Sequence, residues 1–171
     1  MTATSQPPYA VTAYIALGSN LDDPQSHVRQ AMAELNRLPV SQCTAYSSLY
    51  RSPPMGPQDQ PEYINAVVRL GTDLSAVELL NAMQSLEWAH GRRRQSERRW
   101  GARTLDLDLL LYGEQSIQTD RLQVPHPGMA DRDFVLRPLY EIEPHLQVPG
   151  LGPVLVLVRR CRGGGLYRVV S

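Results

Sequence analysis

The chain contains no lysine, so each of its 17 basic side chains is an arginine. This absence excludes Walker A phosphate-binding loops, the phosphate-binding lysine of protein kinases and Schiff-base lysines. Any phosphate that the protein binds must therefore contact arginine, backbone amides or a metal ion. Arginine suits this task, because its planar guanidinium stays charged and pairs with two phosphate oxygens at once.

Cysteine and long apolar runs are also scarce. Cys43 and Cys161 are far apart and belong to no CxxC or Cys/His cluster, which is typical of reduced thiols in a cytosolic protein. No apolar stretch approaches the ~20 residues that span a bilayer. Residues 1–10 lack the basic and apolar parts of a signal peptide. The sequence therefore predicts a cytoplasmic protein without a membrane partner.

The length and the charge balance indicate an ordinary globular domain. With 171 residues, one domain with a sizeable core is expected. The 17 acidic residues balance the 17 basic ones, which argues against a surface adapted throughout to nucleic acid or anionic lipid. Residues 1–11 are polar and include Pro7 and Pro8, so we predict a flexible N-terminal extension there and a single domain over residues 12–171.

The order of the predicted elements indicates an α+β fold. Apolar stretches and helical spacings alternate as strand, helix, strand, strand, helix, strand, which is the βαββαβ order of ferredoxin-like sandwiches. The predicted strands cover residues 11–17, 44–50, 63–70 and 104–112, and the predicted helices cover residues 24–38 and 75–90. Extra C-terminal elements follow: a helix over residues 134–142, and residues 154–158 as either helix or strand.

The segment TLDLDLLLY, residues 104–112, carries two acidic side chains in an otherwise apolar strand. Because side chains alternate along a strand, Asp106 and Asp108 share one face with Thr104, Leu110 and Tyr112. The other face is apolar and is expected on the core: Leu105, Leu107, Leu109 and Leu111. Two carboxylates about 7 Å apart repel each other unless a cation lies between them.

This pair of carboxylates predicts a magnesium site. Oxygen ligands that leave room for water and phosphate oxygens are those that Mg²⁺ prefers. The alternative is that both aspartates only cap the solvated end of the strand, although aspartate is depleted in strands.

A dense group of arginines immediately precedes this strand. Residues 91–103 hold one acid, Glu97, and six arginines: Arg92, Arg93, Arg94, Arg98, Arg99 and Arg103. A polyphosphate needs anion-binding groups and a divalent cation together, and the two features adjoin here. The alternatives are a solvated basic loop and an RNA-binding module, although such modules usually expose aromatic residues on their strands.

Two neighbouring side chains have open interpretations. Glu87 lies near the C-terminal end of a predicted helix, where the helix dipole disfavours an acid. It therefore predicts a specific partner, which could be a nucleotide hydroxyl or a nearby arginine. Trp100 lies among the arginines and could stack on a flat ring or anchor its loop to the core.

Four segments, in this order along the chain, resemble the 6-hydroxymethyl-7,8-dihydropterin pyrophosphokinases of folate biosynthesis. They are YIALGSNL at residues 14–21, YRSPPMGPQDQPEYINAVV at 50–68, RWGARTLDLDLL at 99–110 and VPHPGMADRDFVLRPLYEI at 124–142. The resemblance implies a ferredoxin-like fold and a single catalytic domain. It also implies transfer of pyrophosphate from ATP to the hydroxymethyl group of the pterin, giving AMP and the pterin diphosphate. A catalytically silent scaffold is an alternative, which retention of both aspartates and the arginines argues against.

The same resemblance implies the roles of individual residues. Asp106 and Asp108 would bind two Mg²⁺ ions that bridge the triphosphate, and Arg92 and Arg94 would act with them in catalysis. The implied ATP contacts are Gln84, Glu87, Arg92, Arg94, Trp100, Arg103, His126 and Arg132. The implied pterin contacts are Ser52, Pro53, Met55, Tyr63, Asn65, Trp100 and Phe134. We expect a monomer whose partners are these two small molecules, with no nucleic acid.

Overall fold

The computed structural model describes residues 8–92 and 102–170. The elements are β1 (Val11–Ser19), α1 (Pro24–Leu35), β2 (Ser41–Tyr46), β3 (Tyr50–Ser52), β4 (Tyr63–Thr72), α2 (Ala76–Ala89), β5 (Asp106–Tyr112), β6 (Ile117–Gln118), β7 (Gln123–Val124), α3 (Asp133–Ile142), β8 (Gln147–Val148), β9 (Gly152–Pro153), α4 (Val154–Arg160) and β10 (Tyr167–Arg168). Two residues with predicted roles, Arg94 and Trp100, lie outside the described ranges. No helix in those ranges is long and apolar enough to cross a membrane.

One antiparallel sheet forms the centre of the molecule. Its strands are ordered β10, β3, β4, β1, β5, and β2 pairs with β4 as well. β2 pairs with the C-terminal half of β4 and β3 with its N-terminal half, so the single strand predicted over residues 44–50 is in fact two strands. The sheet and its helices confirm a mixed α/β protein. Residues 154–158, left open above, lie within helix α4.

Helices cover both faces of this sheet. On one face α1 and α2 pack on a core cluster that includes Ile15 and Leu79. On the other face α3 and α4 bury a second cluster that includes Val67 and Leu136. Two layers of helices with a sheet between them thus give the molecule two apolar cores, one on each side of β1 and β4.

Local sequence explains where the first two helices begin and end. Ser75 and Glu78 form a capping box at the start of α2, in which each side chain accepts from the other residue's backbone N–H. Pro24 begins α1, where its missing N–H costs nothing. α1 ends at Leu35 rather than at the predicted residue 38, and the Oδ1 atom of Asn36 accepts from the backbone N–H of Cys43 at 2.9 Å.

A β-bulge in β5 changes part of the predicted pattern of faces. The pairing of β5 with β1 shifts between Leu109 and Leu111, which leaves Leu110 out of the register. An extra residue of this kind reverses the alternation beyond it. Leu111 therefore lies in the second core cluster and Tyr112 in the first. The prediction that placed Leu111 with the other leucines and Tyr112 with the aspartates is wrong.

Both ends of the described chain lie against the sheet. The backbone N–H of Ala10 donates to Asp73 Oδ1 at 2.7 Å, directly before β1 begins. At the other end β10 pairs with β3, and the backbone N–H of Val169 donates to the carbonyl oxygen of Leu49 at 2.8 Å. The C-terminal segment is thus part of the sheet and lies beside the loop that follows β3.

Candidate active site

A cavity of about 300 Å³ opens above β1, between the start of α3 and the loop that joins β3 to β4. Its lining includes twelve residues with predicted roles, namely Ser52, Pro53, Met55, Tyr63, Asn65, Arg92, Arg103, Asp106, Asp108, His126, Arg132 and Phe134. It also includes four residues that the sequence did not single out: Ala16, Leu17, Gly18 and Val135. Residues far apart in sequence thus meet in one place.

Two described residues with predicted roles do not line this cavity. Gln84 is exposed on α2, and its Oε1 atom accepts from Arg121 Nη2 at 3.3 Å. Glu87 is 2% exposed and lies beneath the cavity wall, on the inner side of α2. The structure therefore brings together the predicted pterin residues more completely than the predicted ATP residues.

The floor of the cavity is formed by small residues of β1. Gly18 pairs with Asp106 of β5 on one side and with Asn65 of β4 on the other, and Ala16 pairs with Asp108. Because neither Gly18 nor Ala16 has a long side chain, the space between the carboxylates and the amide stays open. The small residues of the YIALGSNL segment thus contribute to the cavity by leaving space above β1.

The two carboxylates lie before the bulge and keep their predicted common face. Burial, with the Asp106 charge as the next largest cause, raises the pKa of Asp108 to about 7, while Arg132 opposes the shift. A carboxylate shifted in this way favours a nearby cation. Among the described residues, no three or more His, Cys, Asp and Glu side chains form a metal-binding group. A cation here would use these two carboxylates and further oxygen ligands from a substrate or water, as Mg²⁺ commonly does.

Arginine side chains surround Asp106. Arg92 Nη1 donates to Asp106 Oδ1 at 2.6 Å, and Arg103 Nη1 donates to Asp106 Oδ2 at 3.2 Å. Arg92 Nη1 also lies 2.5 Å from Glu87 Oε2, and both of these side chains are 3% exposed. The contact with Arg92 confirms that a nearby arginine is a partner of Glu87, while its contact with a nucleotide stays a prediction.

Glu87 also fixes the strand that carries the carboxylates. Its Oε2 atom accepts from the backbone N–H of Leu107, which lies between Asp106 and Asp108, at 2.9 Å. One buried carboxylate therefore holds both the guanidinium of Arg92 and the backbone of β5. This bond was outside the reach of sequence reasoning, because it joins α2 to a strand 20 residues further along.

His126 supplies a neutral N–H donor beside Asp108. Its Nδ1 atom accepts from the backbone N–H of Gly128 at 3.2 Å, which places the proton of the neutral ring on Nε2. Nε2 lies 3.7 Å from Asp108 Oδ1. Burial, and then the nearby Arg132, lowers the pKa of His126, so the ring is neutral at pH 7. Its Nε2–H can therefore donate to an anionic ligand bound at the carboxylates.

The opposite end of the cavity is uncharged. Asn65 Nδ2 donates to Ser52 Oγ at 2.7 Å, and both side chains are buried. The aromatic ring of Phe134 adds an apolar wall, with the guanidinium of Arg132 6.0 Å from its centroid. A buried amide beside an aromatic ring suits a flat heterocycle that has both donor and acceptor atoms on its edge.

Asn20 connects the walls at the two ends. Its Nδ2 atom donates to Gln60 Oε1 at 3.0 Å and to the carbonyl oxygen of Pro61 at 2.9 Å. Its Oδ1 atom accepts from the backbone N–H of Arg103 at 2.8 Å. Asn20 is 1% exposed, so one buried amide holds the loop after β3 against the segment that leads into β5. The sequence placed Asn20 in a quoted segment but gave it no role.

The chain is similar in sequence to one family of known proteins. Residues 14–144 match the model of the 7,8-dihydro-6-hydroxymethylpterin-pyrophosphokinase family. A 2-amino-4-hydroxy-6-hydroxymethyldihydropteridine pyrophosphokinase of Haemophilus influenzae is 47% identical over 150 residues, covering 88% of this chain and 92% of its own. A protein of the same name from Pseudomonas aeruginosa is 44% identical over 156 residues, covering 91% of this chain and 95% of its own.

Solved structures with a similar fold are more distant in sequence. A crystal structure of Plasmodium falciparum HPPK-DHPS with pteroate superposes with a TM-score of 0.70 at 12% identity. The match covers 91% of this chain and 43% of that one, so this chain spans less than half the length of that protein. The extent of the family match and the identity to the bacterial relatives show that the chain belongs to the 7,8-dihydro-6-hydroxymethylpterin-pyrophosphokinase family.

Proposed function

We propose that the reaction of this family takes place in the cavity above β1, with ATP at its charged end and the pterin at its uncharged end. Membership makes the chain an ATP-dependent pyrophosphokinase that transfers pyrophosphate to 6-hydroxymethyl-7,8-dihydropterin in folate biosynthesis. The observation that carries the placement is the single floor of Ala16 and Gly18 between the aspartates and Asn65. A phosphate chain and a flat ring can meet over this floor.

At the charged end, the side chains of this protein bind and neutralise a triphosphate. Asp106 and Asp108 would hold Mg²⁺, two ions in our proposal, which would neutralise charge on the phosphate oxygens. Arg92, Arg103 and Arg132 line the cavity and can donate to those oxygens, as can the Nε2–H of His126. Catalysis then consists of positioning and charge neutralisation, which account for most of the rate in phosphoryl transfer.

At the uncharged end, the pterin would lie between the proline-rich loop and the start of α3. The amide of Asn65 offers a donor and an acceptor to the edge of the ring, with Ser52 fixing its orientation. Phe134 would pack on one face of the ring, and the aromatic wall would select flat substrates. Stacking by Trp100 on the pterin, and contacts of Arg94, Gln84 and Glu87 with ATP, stay predictions.

We further propose the ferredoxin-like description of the fold. The order β1, α1, the β2–β3 pair, β4, α2, β5 supports it, as does the sheet order in which β1 lies between β4 and β5. A flexible extension over residues 1–11, a single catalytic domain over residues 12–171, a monomeric state and a cytoplasmic location also stay predictions.

The products of the reaction test this function. With ATP, Mg²⁺ and 6-hydroxymethyl-7,8-dihydropterin, we expect AMP and a pterin diphosphate in equal amounts. Phosphorus NMR detects both products directly. The same mixture with EDTA in place of Mg²⁺ is the control. ADP as the main product would contradict pyrophosphate transfer, and undiminished turnover with EDTA would contradict the metal site.

The small floor residue Gly18 gives a second prediction. A Cβ atom there would lie 3.5 Å from Asn65 Oδ1 and 3.7 Å from Tyr63 Cδ1, which is ordinary contact. Gly18→Ala should therefore keep near-normal kinetics. In Gly18→Val the further methyl groups would enter the cavity, and we expect kcat/KM for the pterin to fall ~10-fold or more, the scale of one misplaced methylene in a binding pocket.

Steady-state kinetics and thermal unfolding of both Gly18 variants make this comparison. Valine suits a strand, so Gly18→Val should unfold at a temperature close to that of the wild type. A valine variant with wild-type kcat/KM for the pterin would show that Gly18 does not border the bound ring.

A further inference from the structure

The C-terminal segment, residues 161–169, lies outside the family match but packs on one wall of the cavity. In β10, Tyr167 pairs with Arg51 and Arg168 with Tyr50. Arg51 directly precedes Ser52 and Pro53, which line the cavity. The segment therefore adds a strand to the sheet at the point where the proline-rich loop begins.

The same segment contacts the other end of that loop. Tyr167 Oη donates to Glu62 Oε2 at 3.3 Å, and Glu62 directly precedes Tyr63 of β4. One short strand thus touches the residues on both sides of the loop over residues 53–61. These contacts hold the two ends of the loop against the sheet.

Two glycines bring the backbone of this segment against the cavity wall. A Cβ atom at Gly165 would lie 2.8 Å from Pro53 Cγ and 3.2 Å from Pro53 Cδ, and the φ angle of Gly165 is +75°, a value that side chains disfavour. A Cβ atom at Gly163 would overlap the carboxylate of Asp133. Asp133 begins α3 and directly precedes Phe134. Gly165 thus packs on a residue that lines the cavity, and Gly163 packs on the residue that directly precedes Phe134, which also lines it.

We propose that Gly163 and Gly165 are positioning residues for the pterin end of the cavity. Close approach of their backbone fixes Pro53 on one wall and the first turn of α3 on the other, and so sets the width of the space for the ring. This inference rests on the proposed function for the identity of the ring. A displacement of about 1 Å in a positioned group can change a rate ~100-fold, so a single added methyl group at either glycine is a sufficient perturbation.

The intervening glycine provides a matched control. A Cβ atom at Gly164 would have no neighbour within 4 Å, and its φ angle is not in the left-handed region. We expect Gly163→Ala and Gly165→Ala to raise the KM or Kd for 6-hydroxymethyl-7,8-dihydropterin ~10-fold or more. The KM for ATP should stay within about twofold, since the charged end is not touched, and Gly164→Ala should behave as wild type.

A paired substitution separates positioning from general damage. Asp133→Gly removes the side chain that the new methyl group of Gly163→Ala would strike. In a protein that already carries Asp133→Gly, adding Gly163→Ala should therefore weaken pterin binding much less than it does in the wild type. Calorimetry with the pterin and a non-hydrolysable ATP analogue measures this directly, with thermal unfolding of each variant alongside. If Gly163→Ala does not fold, the comparison of Gly165→Ala with the control Gly164→Ala tests the inference.

The outcomes separate this inference from the function on which it rests. A wild-type protein that forms no AMP from ATP and the pterin would remove the proposed function, and this inference with it. An active wild type with unchanged pterin affinity in Gly163→Ala and Gly165→Ala would overturn the inference alone. Equal rises in KM for both substrates in all three glycine variants would also overturn it, because that pattern indicates a structural role only.

Discussion

Replacing Asp106 or Asp108 with asparagine is expected to lower kcat at least ~100-fold, the scale seen when one key electrostatic group is removed from an active site. Each substitution removes a negative charge from the pair that would hold Mg²⁺, while the shape of the side chain is nearly kept. Steady-state kinetics at saturating ATP and Mg²⁺ measure the loss. Asp120→Asn, at an exposed carboxylate in the β6–β7 turn, is the control and should stay at the wild-type rate.

The stability of the metal-free variants distinguishes lost chemistry from lost structure. The pKa of Asp108 is raised from 3.8 to about 7 in the folded protein. Its contribution to stability is therefore fully present below pH ~4 and is lost as the pH rises through ~7. Asp108→Asn does not titrate, so its Tm relative to the wild type should increase from pH 4 to pH 7 and then level off. Near-normal kcat in either variant would contradict the role of the two carboxylates in holding Mg²⁺. A Tm difference that falls as the pH rises would contradict the raised pKa of Asp108.

Of the substitutions proposed here, removal of the buried carboxylate of Glu87 should lower the free energy of unfolding most. Arg92 and Glu87 are each 3% exposed, and the loss of one partner from a buried ion pair typically costs ~3–5 kcal/mol. Glu87→Ala would also leave the backbone N–H of Leu107 without its acceptor. We expect the free energy of unfolding to fall by roughly that amount, although Arg92 keeps its contact with Asp106, which limits the loss.

Chemical denaturation of Glu87→Ala and Glu87→Gln measures this effect. Glutamine keeps an acceptor for Leu107 and should recover part of the stability. Ser85→Ala, at an exposed position of α2, is the matched control and should change the free energy of unfolding by less than ~0.5 kcal/mol. The same variants test the predicted ATP contact of Glu87. Full stability together with a raised KM for ATP would show that Glu87 contacts the nucleotide and that its contact with Arg92 contributes little.

Sequence patterns predicted the common face of Asp106 and Asp108 correctly, because alternation along a strand is a local property. Alternation along a strand depends only on the backbone, so Asp106 and Asp108 could be placed on one face from their spacing. The capping box of α2 and the proline at the start of α1 likewise act within one turn. Features set by neighbouring residues were therefore open to prediction, and the order of elements followed from them.

Features set by contacts across the fold were not open to prediction. The strand predicted over residues 44–50 is interrupted after Tyr46, where Ser47 Oγ accepts from the backbone N–H of Val67 at 2.9 Å in place of a backbone carbonyl. At the next residue, the backbone N–H of Ser48 donates to Glu141 of α3. The bulge at Leu110 has no glycine or proline to mark it, since the surrounding residues are leucines. Both irregularities depend on partners that the local sequence does not name.

The site residues follow the same division. The quoted segments contained Ser52, Asn65, His126 and Phe134, and these residues line one cavity. The role of Asn20 in joining two loops requires knowledge of which backbone groups lie around it. Gly18 has no side chain, so its proposed role of leaving space above β1 depends on knowing that it pairs with Asn65 and Asp106.

Because β1 is an interior strand of the sheet, the floor of the cavity and its walls are expected to open on different timescales. β1 is hydrogen-bonded to β4 and to β5, so its amides are expected to exchange with solvent last, through opening of the whole fold. The loop over residues 53–61 and the segment over residues 125–132 form no strand themselves, so they can open locally at lower cost. The floor of the cavity therefore persists as long as the folded state itself. If the substrates bind as proposed, they would enter and leave by rearrangement of the walls alone, and β1 would stay in place.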